Sequence, residues 1–410
     1  MTAIPEAISS TAGSGVTAAQ GFLAGTACAD VRGEGGKRDD VALVWSRQPA
    51  SAAGVFTRNR VKAAPVVLSQ LHLKRGMARA VVVNSGNANA CTGAQGLGDA
   101  LRMVQAAADA VDCAPGEVLV ASTGVIGRNM PMERIEPAIA HAASQLQVEG
   151  GHRAALAIMT TDTRPKESVA TFRAGGVLHT VGGVAKGAGM IHPDMATLLA
   201  FATTDASIAS PVLSRLLGEA VRGSFNTISV DGDTSTNDCC LLLANGAAGG
   251  PELDEGSPGT EGFAKALGEV LGDLAGQVVA DGEGATRTFS VHVRGALNPE
   301  QARLAARTVT SSPLVKTAIH GGDPNWGRIL AALGRSGAEL VLDRCRLMIG
   351  GEEMFSRGQV REAPKDRLAR ALRESPVLVE VDLGVGEAEA TALGCDLSAD
   401  YVRINADYST

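Results

Sequence analysis

The sequence predicts a layered α/β (α+β) protein with two lobes, and three observations lead there. Short apolar runs suited to buried strands alternate with segments whose apolar residues recur at helical spacing. Later segments alternate apolar and polar residues with period two, as half-buried strands do. The chain has 410 residues, room for about two to four domains at roughly 100–200 residues each. Hydrophobic residues make up 45% and charged residues 20%, a globular balance that excludes bulk disorder. Aromatics are only 3%, so the core must be built from Val, Leu, Ile and Ala. The 50 glycines point to tight turns and close backbone approaches.

The elements follow in chain order. The runs at 41–45, 81–83 and 118–121 read as buried strands. Between the last two, Leu97, Leu101, Val104, Ala108 and Val111 fall on one helical face. Met132, Ile135, Ile139, Ala142 and Leu146 form another. Ser210 and Pro211 open a helix carrying Leu213, Leu216, Leu217, Ala220 and Val221. A polar turn at 231–238 leads into a strand at 239–243. The softest stretch, 246–262 (GAAGGPELDEGSPGTEG), reads as an exposed loop. Phe263, Leu267, Val270, Leu271 and Leu274 make a further helical stripe. Phe289, Val291 and Val293 alternate as in a strand, as do Val377, Val379 and Val381. Between these two strands, Asn298 and Pro299 signal a helix start before 301–307.

Charge and composition exclude several function classes. The net charge is −7 with no basic stripe, which argues against a nucleic-acid partner. No apolar run reaches about 18 residues, so no membrane span is expected. Residues 1–20 contain no Lys or Arg and no sustained apolar block, unlike a secretory signal. Seven scattered cysteines without a CxxC pair suggest neither a zinc site nor a disulfide framework, and a reducing cytoplasm is expected. The seven histidines show no HxxxH or HExxH spacing, so no metal site is expected.

The chemistry-bearing candidates are few. Glycine-rich turns at 122–127 (STGVIG) and 186–189 (KGAG) match no nucleotide loop, although such turns can present N–H groups to an anion. The acidic stretch 231–238 (DGDTSTND) lacks the pattern of a Ca²⁺ loop. The segment 186–201 (KGAGMIHPDMATLLAF) runs from a glycine turn through Pro193 into an apolar stretch carrying a single Thr, Thr197. By pattern alone Thr197 is an ordinary strand residue, since β-branched residues suit strands.

That segment resembles the signature of the ornithine acetyltransferase (glutamate N-acetyltransferase, ArgJ) family of arginine biosynthesis. The resemblance extends in family order through 56–59 (FTRN), 84–90 (NSGNANA), 122–127, 159–163 (MTTDT), 231–238, 281–285 (DGEGA), 320–328 (HGGDPNWGR) and 401–410 (YVRINADYST). It thus spans nearly the whole chain. One position departs from the common pattern: Asp194 stands where many members have Asn.

The resemblance implies a DmpA/ArgJ-like fold of the autoprocessed N-terminal-nucleophile type. It implies self-cleavage between Ala196 and Thr197, giving chains 1–196 and 197–410 that pair and assemble as a dimer of heterodimers. It further implies ping-pong transfer of acetyl from N²-acetyl-L-ornithine to L-glutamate through Thr197, with no cofactor. Thr123 and Gly124 fall at the family's oxyanion positions. Thr163, Lys186, Thr197, Glu283, Asn405 and Thr410 fall where the family binds substrate. The chemistry agrees: a new α-amine, of ordinary pKa about 7.7–8.0, can serve as base for its own hydroxyl. Acetyl-CoA as a second donor, a different acyl acceptor as in antibiotic-cluster paralogues, and a related amidase or aminopeptidase activity stay open at this point, as does a binding module that never cleaves.

Overall fold

The structure, a computed structural model, describes residues 13–192 and 198–407. Asp194, Ala196, Thr197 and Thr410 therefore lie outside the described residues.

Two sheets organise the molecule. The larger is built from β1 (Phe22–Ala27), β2 (Val41–Phe56), β3 (Met77–Asn87), β4 (Val118–Val125), β5 (Lys166–Ala174), β6 (Val177–Lys186) and β7 (Leu199–Thr204). Its last strand, β9 (Cys239–Ala244), follows the two-residue β8 (Ile228–Ser229) in the chain. The strand order is β4-β3-β2-β9-β7-β6-β5, with β1 also on β2. The long β2 changes register between Trp45 and Ala50, a bulge that bends it. Its first half pairs with β1 and its second half with β9.

Both faces of the central strands are apolar, and the period-two alternation shows where each side chain goes. Leu199, Phe201, Leu241, Val81, Val83 and Leu119 share a central core with Phe22 and Ile158. Ala200, Ala202, Cys240 and Leu242 point the other way, onto α5 (Ser210–Gly223) and α6 (Thr260–Ala280). Ala80, Val82, Val118 and Val120 face α1 (Ala64–His72), α2 (Gly93–Val111) and α3 (Met132–Ser144). The short α4 (Gly151–Ala157) packs Ala154, Ala155 and Ala157 into the central core. The result is a helix–strand–strand–helix layering in which small aliphatic residues do the filling.

The second sheet has the order β13-β12-β11-β14-β10-β15-β8. Its strands are β10 (Thr288–Ala296), β11 (Arg346–Ile349), β12 (Glu352–Ser356), β13 (Gln359–Val360), β14 (Val377–Asp382) and β15 (Ala388–Cys395), together with β8. Phe289, Val291, Val293, Val377, Val379 and Val381 are all buried, as the alternation predicts. They pack under α7 (Pro299–Thr310), α8 (Pro313–Gly321), α9 (Trp326–Gly334) and α10 (Lys365–Ala371). The last described helix, α11 (Ala399–Asp407), returns toward the larger sheet. No helix among the described residues is long and apolar enough to cross a membrane.

The larger sheet spans the position of residue 196. Strands β6 and β7, on either side of that position, are hydrogen-bonded neighbours in one sheet. The two-residue β8 already pairs with β15 of the second sheet; the chain returns to the larger sheet at β9 and leaves it after α6.

Three local expectations are corrected. In α2, Leu97 and Leu101 are 41% and 48% exposed, while Gly96, Ala100, Met103, Val104, Ala107 and Ala108 are buried. Small residues let that helix approach α3 closely, and the larger leucines are left at the rim. In α5, Ala209 occupies the capping position and Ser210 is already helical, with no side-chain cap. The first strand also runs far beyond 45, because the Ala- and Gly-rich second half of β2 pairs with β9. Asn298 does cap α7, its Oδ1 accepting the Gln301 N–H at 2.9 Å.

Candidate active site

The site gathers where several strands of the larger sheet end. Strands β3 and β4 run parallel, and Gly86 lies opposite Gly124. Gly124 has φ +133°, and a Cβ there would land on the Gly86 backbone. Only glycine fits, and the preceding residue, Thr123, is held near the end of β4 beside β3. Strand β6 ends at Lys186, whose Nζ lies 3.4 Å from Thr123 Oγ1 and 3.9 Å from Asp162 Oδ2. Asn237, just before β9, clamps these strand ends: its Nδ2 donates to Ala88 O at 2.6 Å and Ser122 O at 2.8 Å.

Beyond α6 the chain turns through Asp281 to Glu283, whose N–H donates to Ala188 O at 2.8 Å. A Cβ on Gly189 would meet the Glu283 carboxylate and push it aside, so glycine leaves room for this approach. Helix α11 brings Asn405 to the same place, its Nδ2 donating to Glu283 Oε2 at 2.8 Å and to Tyr401 O at 3.0 Å. Thr123, Gly124, Lys186, Glu283 and Asn405 thus line one cleft of about 620 Å³, counting its open mouth. Residues as far apart in sequence as Thr123 and Asn405 are brought together by the ends of strands and by helix α11.

Thr163 sits one step aside, in an adjoining hollow that it shares with Glu283. Its N–H donates to Asp281 Oδ2 at 3.0 Å, and its hydroxyl donates to Asp281 Oδ1. With that proton committed, the Thr163 hydroxyl offers only lone pairs to a ligand. Asn405 has likewise used both amide hydrogens, leaving its carbonyl oxygen as acceptor. The cleft therefore carries both kinds of group: acceptors (Glu283 and Asn405, with Thr163 in the adjoining hollow) and a cation with donors (Lys186, Thr123, the Gly124 N–H).

Sequence reasoning missed the buried charges beneath this cleft. Lys166 is 0% exposed. Its Nζ donates to Asp162 Oδ1 at 2.7 Å and to Asp281 Oδ2 at 2.6 Å. Asp162 also accepts the Gly187 N–H at 2.7 Å and the Thr160 N–H at 3.0 Å. Burial alone would raise the Asp162 carboxyl, but Lys186 and Lys166 outweigh it and hold the group down at about 2. Burial also lowers the Lys186 ammonium from its ordinary value, against the pull of Asp162. Two lysines and two aspartates so form a near-neutral buried quartet. The only signal in the sequence was the four-residue spacing of Asp162 and Lys166, which reads equally well as a surface pair.

The chain was compared with known proteins. The model of the ArgJ family matches residues 23–410. The arginine biosynthesis bifunctional protein ArgJ of Symbiobacterium thermophilum is 52% identical over 396 residues, covering 97% of this chain and 98% of that protein. The protein of the same name from Geobacter sulfurreducens is 50% identical over 376 residues, covering 91% and 95%. A crystal structure of arginine biosynthesis bifunctional protein ArgJ from Bacillus halodurans superposes with a TM-score of 0.50 at 41% identity, covering 51% of this chain and 98% of that one. With a family model over nearly its whole length and full-length relatives at about half identity, this chain belongs to the ArgJ family.

Proposed function

We propose that this chain is an ornithine acetyltransferase of arginine biosynthesis, acting in the cytoplasm, that matures by cutting itself between Ala196 and Thr197. In this reading the Thr197 hydroxyl attacks the Ala196 carbonyl, an ester replaces the amide, and water opens the ester. The freed α-amine then serves as base for the same hydroxyl. Thr197 takes acetyl from N²-acetyl-L-ornithine, ornithine leaves, and the α-amine of L-glutamate removes the acetyl. Each tetrahedral intermediate carries an oxyanion that needs fixed donors, and the Thr123 hydroxyl and Gly124 N–H fill that role. Lys186, 3.4 Å from Thr123 Oγ1, adds a positive field at the same point.

The observation that carries this reading is the presence of a cation and of acceptors in the one cleft. The donor is an amide with an α-carboxylate at one end and an ammonium at the other. Lys186 suits the carboxylate. Glu283, with the free oxygens of Asn405 and Thr163, suits the ammonium. Thr410, outside the described residues, is a further substrate contact in the same reading. The length of the solved relative adds support: 51% of this chain accounts for 98% of it, so that chain is about half as long.

Chains 1–196 and 197–410 would stay together, since β6 and β7 pair within one sheet. We assign the mature assembly as a dimer of such pairs, and acetyl-CoA as a second acetyl donor that would make the enzyme bifunctional. The test is product analysis with purified protein and acetylornithine. Glutamate-dependent formation of N-acetylglutamate supports transfer. Acetate release that glutamate does not affect would show a hydrolase instead.

A further inference from the structure

The two substrates of a ping-pong transfer occupy one site in turn, and here their side chains end in opposite charges. Glu283 draws the side-chain ammonium of the donor, and the same carboxylate repels the side-chain carboxylate of the acceptor. The α-carboxylate and the reacting nitrogen are alike in both, so both side chains leave in the direction of Glu283. The acceptor therefore needs a cation close to Glu283. Lys186, the cation lining the cleft, serves the α-carboxylate common to both substrates. Lys166 is 0% exposed and already bonded to Asp162 and Asp281. Arg32 and Arg38 line a different hollow, which meets the cleft at Thr160 and does not include Glu283. The hollow that does include Glu283 has a volume of about 790 Å³, counting its open mouth. It shares Thr161 and Glu283 with the cleft, and among the described residues Arg164 is the cation in its wall.

The backbone of Arg164 is fixed, and its side chain is not committed. Thr163, just before it, is tied to Asp281 through both its N–H and its hydroxyl. Lys166 Nζ donates to the Arg164 carbonyl at 3.3 Å. The Arg164 side chain is 55% exposed, and its Nε stands 3.9 Å from Asp281 Oδ1, beyond hydrogen-bond reach. Asp281 has no need of it, because Lys166 at 2.6 Å and Thr163 already satisfy that carboxylate. We propose that this hollow is the side-chain subsite of the acceptor: the Arg164 guanidinium takes the side-chain carboxylate of glutamate, while Glu283 beside it takes the side-chain ammonium of the donor. The inference rests on the transfer reading above. A guanidinium presents two parallel N–H donors that match the two oxygens of a carboxylate. Donor and acceptor side chains so end on neighbouring groups of opposite sign.

In a ping-pong scheme kcat/KM for each substrate reports only its own half-reaction, so donor and acceptor can be read apart. The test measures N-acetylglutamate formed by purified enzyme while acetylornithine and glutamate are varied. Arg164→Met should lower kcat/KM for glutamate by about tenfold, the low end for a hydrogen bond between charged groups. It should leave kcat/KM for acetylornithine within about twofold of wild type, because no contact to that substrate is removed. The acetylornithine value also serves as the control for folding. Arg164→Lys keeps the charge without the fork and should recover part of the loss. A glutamate kcat/KM in the Met variant within about twofold of wild type, less than one such bond supplies, would overturn the proposal. Equal losses for both substrates would overturn it too, as would a Lys variant no better than Met. Wild-type enzyme that makes no N-acetylglutamate would defeat the transfer reading itself. Wild-type enzyme that transfers, matched by the Met variant, would defeat only the subsite.

Discussion

Replacing Lys166 with Met tests the charge network under the cleft. The side chain is 0% exposed and makes bonds of 2.7 and 2.6 Å to Asp162 and Asp281. Removing one partner of a buried ionic group costs about 3–5 kcal/mol, because the other charges stay behind without compensation. Here the loss is softened. Asp162 keeps the Gly187 N–H at 2.7 Å and Lys186 at 3.9 Å, and Asp281 keeps Thr163. The lower end, about 3 kcal/mol, is therefore expected. With an unfolding entropy of about 2.1 cal/mol/K per residue over 410 residues, 1 kcal/mol is about 1.2 °C, so the melting temperature should drop by about 3–4 °C. Circular dichroism melts of wild type and Lys166→Met are the assay. A variant that melts within about 1 °C of wild type, under the shift for even 1 kcal/mol, would refute the claim that the quartet is structural.

Acid should expose the same network, because Asp162 has its folded-state carboxyl lowered from 3.8 to about 2. A depressed carboxyl stabilises above its unfolded pKa and loses that contribution as pH falls, here between about 4 and 2 and amounting to about 2 kcal/mol. Asp162→Asn should lose that part of the acid dependence in pH-dependent melts; an unchanged acid limb would contradict it. Thr123→Ala should lower kcat by about 10²–10³ while KM for acetylornithine changes little, and Thr123→Ser should recover much of it. Equal loss in the Ser and Ala variants would remove the hydroxyl from the mechanism. Glu283→Gln and Gly189→Ala should both raise KM for acetylornithine, the first by removing the charge and the second because a new Cβ would displace the carboxylate. Unaltered KM in both would move the ammonium site elsewhere.

How much of this was legible beforehand depended on whether the signal was local. Strands such as β10 and β14 announce themselves, because Val and Phe at period two can only be half-buried. Helix α6 was legible for the same reason at the helical period. The second half of β2 was not. Its Ala and Gly carry no strand preference, and only the pairing with β9 makes it a strand. Helix α2 was legible only in part, because helical spacing does not show that Gly96 and Ala100 are buried while Leu97 and Leu101 stay exposed. Among the site residues, Thr123 and Gly124 read in the sequence as a turn after a strand, whereas β4 runs through both to Val125, and Gly124 owes its identity to a neighbour 38 positions away. The charges of Asp162, Lys166, Asp238 and Asp281 looked like surface polarity. Their burial depends on which strand ends meet, and that is fixed by sheet topology rather than by any window of sequence.

The central claim concerns a single peptide bond, and intact-mass spectrometry of active, purified protein tests it most directly. Two polypeptides are expected, the second beginning with Thr197 and the sequence TLLAFATTD, while Thr197→Ala should give one inactive full-length species. Full activity from an uncut chain of 41.8 kDa would contradict it.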